Sequence, residues 1–176
     1  MKKVCISFLA IAIIVLSITG MVLEKSTPNK EYLRIHVRAN SNEQSEQAVK
    51  YKVKDKIVEF LTPYIAECDT KQKAQALLND NLDKIKAVAD KVLKENGFCY
   101  QAKVSVKQEK FPTRVYDGLE LKSGFYDALI VELGSGKGDN WWCVVYPPLC
   151  FTGEQTSYRY RSKILEIIRA FYNKEN

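Results

Sequence analysis

Histidine is almost absent from this chain, and its scarcity limits the available chemistry. His36 is the only histidine among 176 residues. Most imidazole-based metal sites need several histidines, and a histidine general base has one candidate position. Cysteine pairs of the form C-x-x-C, the usual zinc-binding pattern, are also missing. We therefore expect no metal site, no cofactor and no catalytic residues.

Extreme charge is lacking as well. The chain has 27 Lys and Arg against 21 Asp and Glu, which gives a formal net charge of +6, and 46% of its residues are hydrophobic. This composition fits one folded domain. The positive excess is small for a dedicated nucleic-acid-binding protein, although it suits an acidic partner or an anionic membrane surface. We expect no nucleic-acid ligand and no small-molecule substrate.

The familiar motifs of phosphate binding and hydrolysis are missing too. The run Gly134-Ser-Gly-Lys-Gly138 fits neither G-x-x-x-x-G-K-[ST] nor G-x-G-x-x-G, and it joins two predicted strands. No G-x-S-x-G elbow accompanies His36, and exposure on a strand explains that residue without catalysis. Asp69-Thr70-Lys71 lacks the glycine of an aspartic-protease motif and is interpreted as a helix cap.

The N-terminus has the pattern of a targeting segment followed by a tether. Lys2 and Lys3 precede 20 uncharged residues, Val4 to Leu23. A helix of this length spans about 30 Å, the thickness of a bilayer core. Residues 1–23 are predicted to be a signal peptide or a membrane anchor, 24–31 a linker and 32–176 a single extracytoplasmic domain.

Four cysteines fall in the predicted extracytoplasmic domain, where disulfides persist. They are Cys68, Cys99, Cys143 and Cys150, and they allow three pairings. Cys143 and Cys150 are the nearest pair, and a turn at the two intervening prolines would bring them within bridging range. Spacing leaves both a Cys143–Cys150 disulfide and free buried thiols open.

Hydrophobic periodicity predicts the first half of the fold. Tyr32 to Ala39 alternates as a strand, with His36 pointing away from the main core. Ser41 and Gln44 have the form of a capping box, and a long helix follows with Val49, Val53, Ile57, Phe60 and Tyr64 on one stripe. A second helix is predicted as one element from Asp69 or Thr70 to Asn96-Gly97.

The second half is predicted to be mainly strands. Phe98 to Lys107 alternates as a strand, and Phe111 to Asp117 is interpreted as an extended link. Phe125 to Leu133 and Trp141 to Tyr146 are predicted to form an antiparallel hairpin with a mobile glycine-rich tip. A last helix covers about Ser162 to Tyr172. The order β-α-α-β-β-β-α predicts a small α+β domain, a mostly antiparallel sheet packed by helices.

Aromatic residues supply the candidate partner-binding surface. Adjacent tryptophans on a strand point to opposite faces, so one of Trp141 and Trp142 is a candidate for exposure, and packing of both under helices is the alternative. Phe111-Pro112 with Arg114 and Tyr116 supplies an aromatic, basic edge that could lie nearby. The full candidate set is Trp141, Trp142, Asn140, Tyr146, Phe151, Phe111, Arg114 and Tyr116.

The segment Asn140 to Phe151, NWWCVVYPPLCF, resembles the stage II sporulation protein R family of endospore-forming bacteria. Three further segments add to the likeness: G-x-G-x-G at 134–138, F-P-T-R-x-Y from Phe111 to Tyr116, and H-V-R-A-N-S from His36 to Ser41. The likeness runs from about Leu33 to about Tyr172, and the secretory N-terminus agrees with it.

This resemblance implies an exported signalling protein without chemistry of its own. Such a protein is made in the forespore and enters the space between forespore and mother cell, either secreted or anchored. There it switches on a membrane-embedded aspartic protease of the mother-cell membrane, which processes the sigma-E precursor. The implied partner surface is the extracytoplasmic part of that protease, whose active dimer or conformation the signal would favour.

Two other functions compete with this one. The first is an extracytoplasmic enzyme, thiol-dependent or wall-modifying, that uses Cys143 or Cys150. The second is a structural module at the membrane surface, held by Val4 to Leu23 and a basic face. Serine replacements separate the enzyme, which would lose turnover, from a protein with structural cysteines, which would lose stability.

Overall fold

A mixed four-stranded sheet forms the frame of the computed structural model, which describes residues 31–116, 118–152 and 158–175. Six strands are present in this part of the chain: β1 Leu33–Arg38, β2 Ala102–Phe111, β3 Arg114–Tyr116, β4 Leu119–Leu121, β5 Gly124–Leu133 and β6 Asn140–Tyr146. The helices are α1 Gln44–Ile65, α2 Lys71–Asp80, α3 Leu82–Glu95 and α4 Tyr158–Glu175, with a 3-10 turn at Leu149–Phe151. The predicted small α+β domain with a mostly antiparallel sheet is confirmed. The predicted targeting segment lies outside the described residues.

The predicted hairpin of β5 and β6 is wrong. The strand order is β2-β5-β1-β6, so β1 lies between the two strands. It runs parallel to β5 and antiparallel to β6. Sequence patterning did not show this because a glycine-rich connection between two apolar runs fits a hairpin as well as a crossing over the end of a third strand.

The glycine-rich connection is tied down and does not project as a free tip. Gly138 N–H donates to the Ala39 carbonyl at 2.8 Å, and Ser135 N–H donates to Asn40 Oδ1 at 2.9 Å. Gly134 and Gly136 both have positive φ, a conformation that glycine adopts without steric cost. This loop therefore closes over the end of β1.

The second predicted helix is two helices. Asn81 separates α2 from α3 with φ −119° and ψ 15°, and its side-chain amide donates to the Leu77 carbonyl at 2.8 Å. An asparagine that bonds locally to backbone competes with the helical pattern, and periodicity alone did not reveal the break. At the start of α2, Thr70 accepts a hydrogen bond from Lys73 N–H, so the predicted cap is confirmed.

The first helix also departs from its prediction in detail. It begins at Gln44 after Glu43, without a side-chain cap, and Ser41 Oγ accepts from Glu43 N–H at 3.3 Å. The capping box is therefore wrong. The buried stripe continues through Leu61 and Ile65, whereas Tyr64 is exposed.

The region interpreted as an extended link contains β3, which forms a small second sheet with β4 just after it. β3 and β4 pair antiparallel with each other and are hydrogen-bonded to neither edge of the four-stranded sheet. Strands of three residues are too short for a periodic signal, so hydrophobic periodicity does not reveal β3 and β4.

Two buried clusters lie on opposite faces of the four-stranded sheet. Leu33, Ile35 and Val37 pack on the face that α1, α2 and α3 cover. The second cluster includes Tyr32, Phe111, Leu121 and Tyr126 and lies beneath β3 and β4. Among the described residues, no helix combines the length and the apolar character that crossing a membrane requires. The sheet face that helices α1 to α3 do not cover carries the second cluster together with the charged side chains of β1. It is called the polar face below.

Candidate functional site

The polar face carries the charged side chains of β1. In a strand, alternate residues point to one side, so Arg34, His36 and Arg38 share this face while Leu33, Ile35 and Val37 fill the main core. Arg34 and His36 are buried, with 0% and 4% of their surface exposed. The prediction that His36 is exposed to solvent is therefore wrong. The prediction that it points away from the main core is confirmed.

His36 lies at the centre of a hydrogen-bonded group. Its Nδ1 is 3.0 Å from Glu109 Oε1 and its Nε2 is 2.7 Å from Asn140 Oδ1. Burial lowers the pKa of His36, while the contacts with Asn140 and Glu109 oppose that shift. Both ring nitrogens therefore lie within hydrogen-bond distance of a polar side chain.

Arg38, also on β1, adds contacts with β2 and β5 to this group. Its guanidinium pairs with Glu109 on β2 and with Glu132 on β5, at 2.6 Å for Glu132. Both carboxylates are partly covered. The four strands are therefore cross-linked on this face by polar side chains, with β6 contributing Asn140.

Trp142 covers His36 and brings the basic edge with it. The indole stacks on the His36 ring at 5.3 Å between centroids, and the Arg114 guanidinium lies 4.3 Å from the Trp142 ring centroid. Trp142 is half-buried, and Arg114 and Asn140 are exposed. The segments that carry Arg114 and Trp142, separate in sequence, meet here as an aromatic and cationic surface.

Phe111 and Tyr116 lie beside this surface but are turned toward Arg34. The Arg34 guanidinium is 4.2 Å from the Phe111 ring centroid, and its Nη2 donates to the Tyr116 hydroxyl at 2.6 Å. Burial raises the pKa of Tyr116, which keeps its hydroxyl protonated. Five of the eight candidate residues thus gather on the polar face: Phe111, Arg114, Tyr116, Asn140 and Trp142.

The other three candidates lie elsewhere. Trp141 points to the helical face, where Lys54 approaches its ring to 5.4 Å. Phe151 is wholly buried in the main core. Tyr146 is also buried, and its hydroxyl donates to the Asp69 carbonyl at 2.6 Å. The two tryptophans therefore point to opposite faces, as adjacent strand residues must.

Sequence reasoning missed Arg34, Arg38 and Glu109 as members of this group. The available signal was the unbroken run of polar residues on one side of β1, which was interpreted as a solvent-facing side. Glu109 gave no signal, because the predicted strand ended at Lys107, whereas β2 continues to Phe111.

The cysteines form one bridge. Cys143 and Cys150 are joined by a disulfide, with their Cα atoms 6.3 Å apart. Cys68 is a buried free thiol and Cys99 an exposed one. Of the two alternatives that spacing left open, the disulfide is therefore the one found for Cys143 and Cys150.

Metal ligands do not gather anywhere in the described chain. No group of three or more His, Cys, Asp or Glu side chains is placed to hold a metal ion in that part of the molecule.

Aromatic rings and guanidinium groups dominate the polar face, and these residue types are enriched where proteins recognise other proteins.

Comparison with known proteins agrees with these motifs. The family model described as stage II sporulation protein R matches residues 29–156. Stage II sporulation protein R of Bacillus subtilis (strain 168) is 31% identical over 119 residues, which are 68% of this chain and 53% of the relative. The chain thus spans about half the length of that curated relative, and no solved structure matches it. On the family match, this chain belongs to the stage II sporulation protein R family and has a role in sporulation.

Proposed function

We propose that this protein is an exported sporulation signal that activates a membrane-embedded aspartic protease, which then processes the sigma-E precursor. It would act between the forespore and mother-cell membranes, secreted or held by its N-terminal segment. Family membership supports the sporulation role. The gathering of Trp142, Arg114 and Asn140 on the polar face is the observation that carries the binding role.

The mechanism is preferential binding to the active protease. A ligand shifts an equilibrium only by its difference in affinity for the two states. Taking an inactive protease from 1:99 to 99:1 needs about 5.5 kcal/mol of differential binding. Truncation of a tryptophan or an arginine at the centre of an interface costs about 2 kcal/mol or more for each residue. These two residues would therefore supply about 4 kcal/mol, and surrounding contacts would supply the rest.

The test is reconstitution in a non-sporulating host that expresses the protease and the sigma-E precursor. This chain is supplied either with its own N-terminus or with residues 1–23 removed, which traps it in the cytoplasm. We expect precursor processing with the exported form alone. Processing by both forms would contradict the extracytoplasmic site of action.

A second pair of samples tests the surface. Arg114→Ala removes the cation over Trp142, and Arg169→Ala removes an exposed arginine of α4 as a matched control. At matched abundance in the exported fraction, we expect the first change to reduce processing and the second to leave it unaltered. Equal processing by both variants would exclude Arg114 from the contact.

The thiol-dependent enzyme gains no support from the site. Cys143 and Cys150, its two candidate nucleophiles, are joined to each other. A disulfide sulfur has no thiolate to attack a substrate. The bridge joins β6 to the 3-10 turn and is interpreted as structural.

A further inference from the structure

Arg34 is a wholly buried guanidinium with two nitrogens that donate to no group among the described residues. It has 0% exposure, and Nη2 donates to the Tyr116 hydroxyl at 2.6 Å. Nε and Nη1 have no hydrogen-bond partner in the described part of the chain. A buried donor without an acceptor costs stability, and arginine is seldom fully buried unless it is paired.

Aromatic rings surround this cation, and a second cation lies nearby. The guanidinium is 4.2 Å from the Phe111 centroid, 4.9 Å from that of Tyr126 and 5.6 Å from that of Tyr116. Burial is the main cause that lowers the pKa of Arg34, and the charge of Arg114 lowers it further. Ring faces attract a cation but do not replace a carboxylate as an acceptor of its N–H groups.

Glu109, on the same sheet face, does not pair with Arg34. Its Oε1 contacts His36 and Arg38, and its Oε2 is buried without a hydrogen-bond partner among the described residues. The hydrogen bond that Arg34 does donate is to a neutral phenol, the Tyr116 hydroxyl. The described contacts that surround Arg34 thus include aromatic rings and a phenol but no carboxylate.

The cover over Arg34 is a small element. Tyr116 belongs to β3, and the β3–β4 pair is not hydrogen-bonded to the four-stranded sheet. Val115, the central residue of β3, is 65% exposed. Displacing β3 would therefore uncover Arg34 without breaking any ladder of the main sheet.

We propose that Arg34 is the receptor for a carboxylate group, which takes its free N–H groups and replaces the Tyr116 hydroxyl when β3 moves aside. A planar carboxylate matches the guanidinium fork, which can donate two parallel N–H bonds to it. Aromatic walls and a single buried guanidinium suit a singly charged carboxylate better than a doubly charged phosphate. The site does not depend on the proposed signalling function, since a carboxylate can be supplied by a protein side chain or by a free acid.

The first test is a titration of the full chain in nonionic detergent, followed by ¹⁵N NMR of the arginine Nε–Hε groups. Sodium acetate is compared with sodium chloride at equal ionic strength. We expect one resonance, absent from Arg34→Lys, to shift saturably with acetate alone. The exposed Arg169→Lys should keep that response. No acetate response, or an equal response to chloride, would overturn the proposal.

Tyr116→Phe tests the exchange of partners, because a purely structural Arg34 would gain no affinity for acetate from this change. This change removes the acceptor that competes for Arg34, so half-saturation should need at least threefold less acetate than in the wild type. Tyr126→Phe is the matched control, because its hydroxyl donates to the Lys122 carbonyl and is not bonded to Arg34. Unchanged or weaker acetate binding in Tyr116→Phe would contradict the exchange of partners.

The source of the carboxylate is distinguished by a capped peptide with two glutamates and its glutamine counterpart. Tighter binding of the glutamate peptide than of acetate supports the site and assigns it to a protein ligand. Binding equal to that of acetate supports the site and assigns it to free acids. Equal binding of the glutamine peptide would show that the carboxylate is not what is recognised. None of these measurements requires the protease, so their failure is separate from a failure of the proposed function.

Discussion

At the residue scale, the two adjacent tryptophans have different surroundings. Trp142 stacks on His36 beneath Arg114 on the polar face, whereas Trp141 packs on the helical face beside Lys54. Only the first is therefore placed to meet a partner on the polar face. The adjacent pair offers a comparison in which residue type and strand are constant.

Trp142→Ala should impair activation much more than Trp141→Ala. Removal of a central interface tryptophan costs about 2 kcal/mol or more of binding, so we expect at least a tenfold loss of precursor processing. Processing in the reconstituted host, normalised to the amount of exported protein, is the measurement. If Trp141→Ala impairs processing as strongly as Trp142→Ala at matched abundance, the polar face is not the contact surface.

The second residue-scale prediction concerns His36 and pH. Burial lowers its pKa in the folded protein, so the unfolded chain binds the proton more readily. The resulting stability is complete above about pH 6.5, the pKa of an unperturbed histidine, and is lost as pH falls through the folded pKa. Glu109 and Arg38 are the charged groups that act on the ring, with opposite effects.

Comparison of wild type with His36→Gln isolates this effect. We expect the free energy of unfolding of the wild type to fall more steeply between pH 7 and pH 5 than that of the variant, as followed by urea denaturation. Carboxylates elsewhere titrate in both proteins, so their contributions cancel when the two free energies of unfolding are subtracted. Parallel curves would show that His36 has the same pKa in the folded and unfolded chain.

At the element scale, the glycine-rich loop is shaped by the end of β1. A Cβ added at Gly138 would overlap the Ser41 carbonyl and would lie 2.9 Å from Ala39 Cβ. Backbone cannot move aside as a flexible side chain can. We therefore expect Gly138→Ala to lower the free energy of unfolding by about 1–3 kcal/mol, the range for forced overpacking.

Gly124→Ala is the control for that change. Its added Cβ would meet Tyr126 at 3.9 Å, an ordinary contact, in a strand with no positive φ. Urea denaturation should give this variant a stability close to that of the wild type. If Gly138→Ala is equally harmless, the loop does not pack on residues 39–42 as described.

How far sequence predicts this fold depends on the range of the interactions involved. The stripe from Ile85 to Val92 and the cap at Thr70 are local, and periodicity or residue type identified them. Insertion of β1 between β5 and β6 is a long-range pairing that no local pattern reports. The charged side of β1 was recognised as one side of a strand, but its burial depends on Trp142 and Phe111, which come from distant segments.

At the scale of the whole molecule, α4 connects the two sides of the sheet. Phe171 packs against both buried clusters. Its ring centroid lies 5.4 Å from that of Tyr32 and 6.3 Å from that of Tyr146. Tyr32 directly precedes β1, so this contact also fixes the point where the predicted tether enters the domain.

Phe171→Ala should therefore destabilise the whole domain. Core Phe→Ala changes cost about 3–5 kcal/mol, and a half-buried ring should lose about 2–3 kcal/mol. For a chain of this size, that loss corresponds to a fall of roughly 5–10 °C in Tm. Calorimetry of the full chain in detergent is the measurement.

Leu165→Ala separates the role of the ring from that of the helix. Leu165 lies on the same helix and is 38% exposed, so its truncation should cost much less than that of Phe171. Both variants keep α4 itself, since alanine is the best helix former. If the two lower Tm equally, the contacts of the Phe171 ring with both clusters add no stability beyond that of another α4 side chain. If only Phe171→Ala lowers it, the stability of both sheet faces depends on the side chain that touches them both.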